Sequence, residues 1–174
     1  MPADALADAQ RLRPRWRPDL WGIDEAARVA LILATRKGDE ASFAARIERL
    51  CTIGELAEHV ACLKGFAVFP RQPQLLVSAR AAVRSSAQPV FEAIACHNPY
   101  PADHFDEASY NQMVVKCVFS GISIDTIVGL DERRNDELVR MMGDLVSERL
   151  AAGRMIPDMV HRWLTDPATT ASKR

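Results

Sequence analysis

Asp136-Glu137-Leu138-Val139-Arg140-Met141-Met142-Gly143-Asp144-Leu145-Val146-Ser147-Glu148-Arg149-Leu150 is the stretch that decides the fold class. Leu138, Met141, Met142, Leu145, Val146 and Leu150 recur three and four residues apart, which lays them along one stripe of an α-helix. Asp136, Arg140 and Asp144 fall on the opposite face at i,i+4 spacing, where each ion pair contributes a few tenths of a kcal/mol. Gly153 supplies the stop.

Working outward from this helix, the rest of the chain repeats the pattern. Asp24 reads as the cap of a helix over Glu25 to Lys37, with Ala27, Leu31 and Ala34 on its apolar side and Gly38 ending it. Phe43, Ile47 and Leu50 mark one side of a helix from Glu40 to Leu50. Thr52-Ile53-Gly54-Glu55 has the form of a capping box for a helix to about Leu63, ended by Gly65. Further helices are expected over Gln74 to Arg84 and from Pro89, suited to a first turn, through Cys96. Asp106 caps another through Phe119, closed by Gly121; short helices follow near Ile122 to Val128 and from Pro157 to Leu164. Phe66-Ala67-Val68-Phe69 is the one stretch with strand character and is too short to stand alone.

The expectation is an all-α protein of stacked antiparallel helix pairs, either a compact helical domain or a short HEAT-like solenoid. Residues 1–18 read as a flexible basic, proline-rich tail, 19–165 as a single helical domain and 166–174 as a disordered tail. Arg11, Arg13, Arg15 and Arg17 alternate with proline and apolar residues in the first tail. They suit either a basic arm in peripheral contact with anionic lipid or an acidic partner, or a strap held to the body through Leu12 and Trp16.

Composition narrows the functions. A net charge of -1 offers no concentrated basic face for nucleic acid. The four cysteines show no metal-ligand rhythm and sit in apolar helical stretches, as free cysteines of a reduced, cytoplasmic protein do. No basic-then-apolar leader and no membrane-spanning run is visible. No GxSxG and no phosphate-binding glycine loop occurs, and Trp21 and Trp163 read as core or lid aromatics.

The densest chemistry lies in Ala95-Cys96-His97-Asn98-Pro99-Tyr100-Pro101-Ala102-Asp103-His104-Phe105-Asp106. A connector needs one breaker and one cap; this one carries two histidines, two carboxylates and two aromatics. His97, Asn98, Tyr100, Asp103, His104 and Asp106, with Asn111 and Lys116 on the following helix, form the candidate ligand- or partner-binding set. His97, His104, Asp103 and Asp106 include ligand types for zinc or iron, but their spacing fits no helical metal motif, so no metal or other cofactor is assigned. Lys116 would hold an anion and a histidine would act as acid–base group if the set were catalytic. The structural alternative is that Asp106 caps a helix, Asn111 satisfies backbone groups and Lys116 lies over apolar surface.

Phe91-Glu92-Ala93-Ile94-Ala95-Cys96-His97-Asn98-Pro99-Tyr100-Pro101, then Phe105-Asp106-Glu107-Ala108, Asn111-Gln112-Met113-Val114 and Lys116, resembles the EboA family. Ile127-Val128-Gly129-Leu130-Asp131, Glu148-Arg149, Ala152-Gly153-Arg154 and the early Trp21-Gly22-Ile23-Asp24 continue the resemblance, which runs from about Trp21 to Trp163. It implies an EboA-like helical domain encoded beside a hydrolase, a prenyltransferase and a sugar-phosphate cyclase. From that follows an expected non-catalytic adaptor or accessory in a pathway making or exporting a cyclitol-derived or prenylated secondary metabolite, with proteins of the same gene cluster as partners. The alternative is a small enzyme or ligand-binding protein acting on a phosphorylated or polyol intermediate through the His97–Asp106 turn and Lys116. The family supplies no catalytic residue.

Overall fold

A computed structural model describes residues 2–36, 40–70 and 72–165, and every regular element among them is helical. The protein is all-α, as its periodicity requires. Gly38 and residues 166–174 lie outside the described residues. None of the described helices is long and apolar enough to cross a membrane. Chain contacts divide the protein into two units, Met1–Phe105 and Asp106–Arg174.

The first unit opens with α1 (Ala3–Leu12), where the sequence suggested a tail; it buries no residue. Pro14 limits it, because the residue before a proline is pushed out of the helical region and Arg13 is extended, at φ -143° and ψ 102°. Leu12 is exposed, so the strap expected through it is not made there. Trp16 instead meets Trp21 edge-on, with ring centroids 5.4 Å apart.

Then come α2 (Ile23–Ala34), α3 (Glu40–Ile53) and α4 (Leu56–Gly65). The cap of α2 is Gly22, whose N–H donates to Glu25 Oε2 at 2.9 Å. Asp24, the expected cap, sits inside the first turn and pairs with Arg28 at 2.8 Å. The expected apolar side of α2 is also corrected: Val29 is buried, while Ala27, Leu31 and Ala34 face out. The run Val29 to Ala34 is apolar all round, so periodicity alone cannot choose its inner face. The capping box shifts by three residues, since Thr52 remains in α3 and its hydroxyl donates to Glu48 O. Glu55 caps α4, and its N–H donates to the Glu58 carboxylate at 3.0 Å.

A 3₁₀ turn, Gln72–Leu75, leads into α5 (Leu76–Arg84), followed by α6 (Gln88–Ala95) with its proline in the first turn and by α7 (Tyr100–His104). α4 is the hub: α2, α3 and α6 all pack on it, and α5 packs on α6. The core is aromatic. Phe43 meets Phe69 edge-on at 5.6 Å, and Phe66 meets Tyr100 edge-on at 5.3 Å. The stretch with strand character is a turn, because Val68 and Phe69 both donate to Gly65 O.

The second unit holds α8 (Glu107–Phe119), a 3₁₀ turn at Ile124–Thr126, α9 (Asp136–Ala151) and α10 (Asp158–Thr165). Asp106 caps α8 as expected, accepting from Ser109 N–H at 2.7 Å. Gly121 and Gly153 follow α8 and α9 at φ +76° and +67°, conformations that glycine adopts without a Cβ penalty. α9 buries Leu138, Met142 and Leu145, whereas Leu150 at the foot of the stripe is exposed. Arg140 pairs with Asp144 as read, but its other partner is Glu137. Trp163 is buried; the Arg134 guanidinium lies 3.9 Å from its ring centroid, and its indole N–H donates to Asp131.

Candidate functional site

Between α6 and α7 only four residues reverse the chain, and His97 absorbs the turn at φ +53°. That left-handed conformation costs a non-glycine residue about 1 kcal/mol and persists only where its surroundings hold it. Asn98 does the holding. Its amide donates to Leu63 O at the end of α4 and to Ala93 O in α6, both at 3.0 Å, and accepts from Tyr100 N–H at 3.0 Å. Those partners decide the amide's orientation, since carbonyl oxygens only accept.

His97 and Asn98 line a cavity of about 260 Å³, small beside the roughly 300–1,000 Å³ usual for ligand pockets. Its polar lining is completed by Arg17, Glu25, Lys64 and Glu92; its apolar walls include Trp21, Val60 and Pro89. Lys64 Nζ donates to Glu25 Oε1 at 2.6 Å, while the other oxygen of that carboxylate accepts from Gly22. Three N–H bonds on the ammonium and one partner here leave donors for a guest. Arg17 grips Asp19 through two parallel bonds of 2.9 and 2.8 Å. This pairing holds Asp19 below the usual carboxylate range. Two cations and two carboxylates face the cavity, so its lining is charge-balanced.

Burial lowers the His97 pKa, and Arg17 and Lys64 reinforce the effect against Asp19. Burial also lowers His59 and His104. The sign of the pH dependence follows. Unfolded imidazoles take up protons near pH 6.5, and these folded ones resist them to lower pH. Their contribution to stability is therefore complete above about pH 6.5 and is lost as the pH falls from there through the folded values. Urea midpoints measured from pH 7.5 down to 5.5 should fall; a midpoint that rises over that interval would refute this reading of the three environments.

The other expected residues have different surroundings. Tyr100 is wholly buried, its ring 4.5 Å from that of His104. Desolvation raises its phenol well above the ordinary range. Asp103 pairs with Arg13. In the second unit, Asp106 is a helix cap and Asn111 exchanges two 3.0 Å amide bonds with Asn135, itself the cap of α9. Lys116 is half-buried, and burial lowers its pKa. Among the described residues no three histidine, cysteine or carboxylate side chains gather where a metal ion could be held.

Sequence reasoning missed Glu25, Lys64 and Glu92 and placed Arg17 in an arm. Lys64 did carry a signal: it is the lone cation between Val60 and Phe69. Nothing in the sequence announces its pairing with a carboxylate 39 residues away. Compared with known proteins, the chain matches the family model described as metabolite traffic protein EboA over residues 1–165. No curated protein and no solved structure matches it.

Proposed function

We infer, from the premise that this chain belongs to the EboA family, that it is a non-catalytic accessory that carries or presents a small metabolite, and that its cavity is the carrying site. The charge balance of the cavity supports this reading. Two cations balanced by two carboxylates in the lining give little net attraction to a dianion, whereas hydroxyl groups can donate to the carboxylates and accept from Lys64. An uncharged, hydroxylated ring with one apolar face against Trp21 suits such a lining. A cyclitol-derived compound, as the family resemblance implies, has that polarity better than a phosphorylated one.

The remaining parts of the proposal rest on the sequence, through the family resemblance and, for location, the cysteine usage. They are one functional domain over 19–165, cytoplasmic location, and delivery to proteins of the same gene cluster. A membrane arm gains no support from the side chains, because Arg11, Arg13 and Arg17 pair with Asp8, Asp103 and Asp19.

Native mass spectrometry of the protein purified gently from its producer tests the reading. The wild type should retain a small-molecule adduct above 19.3 kDa. Trp21→Ala and Lys64→Met, each checked for helix content, should lower adduct occupancy at least tenfold. A bare wild-type chain, or an adduct indifferent to both changes, would count against the cavity.

A further inference from the structure

The last turn of α3 and the middle of α4 bring two thiols together, with Cys51 Sγ and Cys62 Sγ 3.6 Å apart. Cys62 has no exposed surface, while Cys51 is half-buried. Together with His59, Thr52 and Val77, Cys51 lines a broad groove of about 410 Å³, distinct from the cavity above. One sulfur is thus reachable from solvent and the other stands directly behind it. A disulfide at about 2.05 Å requires an approach of roughly 1.5 Å, a movement within reach of side-chain rotation.

We propose that Cys51 and Cys62 form a reversible dithiol–disulfide site oxidised by a small hydroperoxide that enters this groove. The Cys51 thiolate attacks one peroxide oxygen; an S–O bond forms, the O–O bond breaks and the departing alkoxide is protonated to the alcohol. Cys51 is then a sulfenic acid. The Cys62 sulfur attacks the Cys51 sulfur, the S–S bond forms, the S–O bond breaks and the departing hydroxide takes the Cys62 proton as water. The two thiols lose two electrons and two protons, and the hydroperoxide becomes alcohol and water. The order of events follows from access. The Cys62 thiol is kept protonated by its contact with Cys51 and by burial, so it serves as the resolving sulfur.

The disulfide would tie α3 to α4, the helix that carries Val60 and Lys64 of the cavity. Closing so short a loop should raise the melting midpoint by roughly 5 °C. The inference is independent of what the cavity binds.

The test exposes the folded full-length chain to hydrogen peroxide, then denatures it, alkylates its thiols and maps the peptides. Expected are two fewer alkylated thiols, a Cys51–Cys62 linked peptide about 2 Da lighter than its two unalkylated peptides together, and reversal of both by dithiothreitol. Cys62→Ala should instead accumulate a sulfenic acid at Cys51, trapped by a 1,3-diketone. If that variant does not fold, the wild-type peptide map decides by itself. The proposal is overturned if all four thiols still alkylate after the exposure, or if Cys51 links elsewhere. It is equally overturned if Cys51 of the wild type oxidises to sulfinic acid without forming the link.

Discussion

Replacing Asn98 by alanine should lower the stability of the protein by about 3–5 kcal/mol, a large share of the roughly 5–15 kcal/mol available to a folded protein. The side chain is 4% exposed, and three backbone groups depend on it: Leu63 O, Ala93 O and Tyr100 N–H. Truncation removes three bonds from a buried place, although Leu63 O keeps the Phe66 N–H, and each buried group left unsatisfied costs about 1–3 kcal/mol before relaxation. It also releases the clamp that holds His97 at positive φ. Asn98→Asp should be no better at neutral pH, because a carboxylate presents only acceptors to two carbonyl oxygens. Its deficit relative to wild type should narrow towards pH 4, where a protonated carboxyl regains one donor. Urea unfolding followed by circular dichroism measures both. If Asn98→Ala unfolds within a few tenths of a kcal/mol of the wild type, water replaces the amide and the clamp is not structural.

A second large loss is expected at Gly65. A Cβ built on this residue would lie 2.7 Å from Cε1 and 2.9 Å from Cε2 of the Phe69 ring, with Cζ in its path as well. Escape for the ring is blocked, because Phe69 is 1% exposed and packed between Phe43 and Phe66. Two effects oppose one another in Gly65→Ala. Alanine favours helix over glycine by about 1 kcal/mol, whereas overpacking a rigid core costs roughly 3 kcal/mol. The clash wins, and a net loss of about 2 kcal/mol is expected. Adding Phe69→Leu should recover part of it, a coupling that a double-mutant cycle reads directly. Unchanged or increased stability in Gly65→Ala would show that the ring moves aside and that propensity governs the site.

Local chemistry accounts for what could be read in advance. The Asp106 cap, the proline in the first turn of α6, and the glycines after α8 and α9 all act within a few residues of themselves. So do the buried positions of α9, whose stripe is narrow and flanked by charge. Reading failed where local signals were degenerate. α2 is apolar around most of its circumference, and Thr52, Glu55 and Glu58 offer competing caps within seven residues. The break at Gly54 leaves Thr52 bonded back into α3, and Glu55 caps instead.

For the candidate site the division is sharper. His97 and Asn98 stood out because a connector had more polar groups than a turn needs. Their neighbours did not, because Arg17, Glu25 and Lys64 come from distant parts of the chain. By itself the sequence determined an all-α protein, most of its helix ends and two residues of the cavity, since helix periodicity and capping are short-range. Only the packing of α2 and α6 on α4 decided the rest. Ion pairs, cavity walls and the meeting of Cys51 with Cys62 depend on which faces are buried together, and that is a property of the whole core.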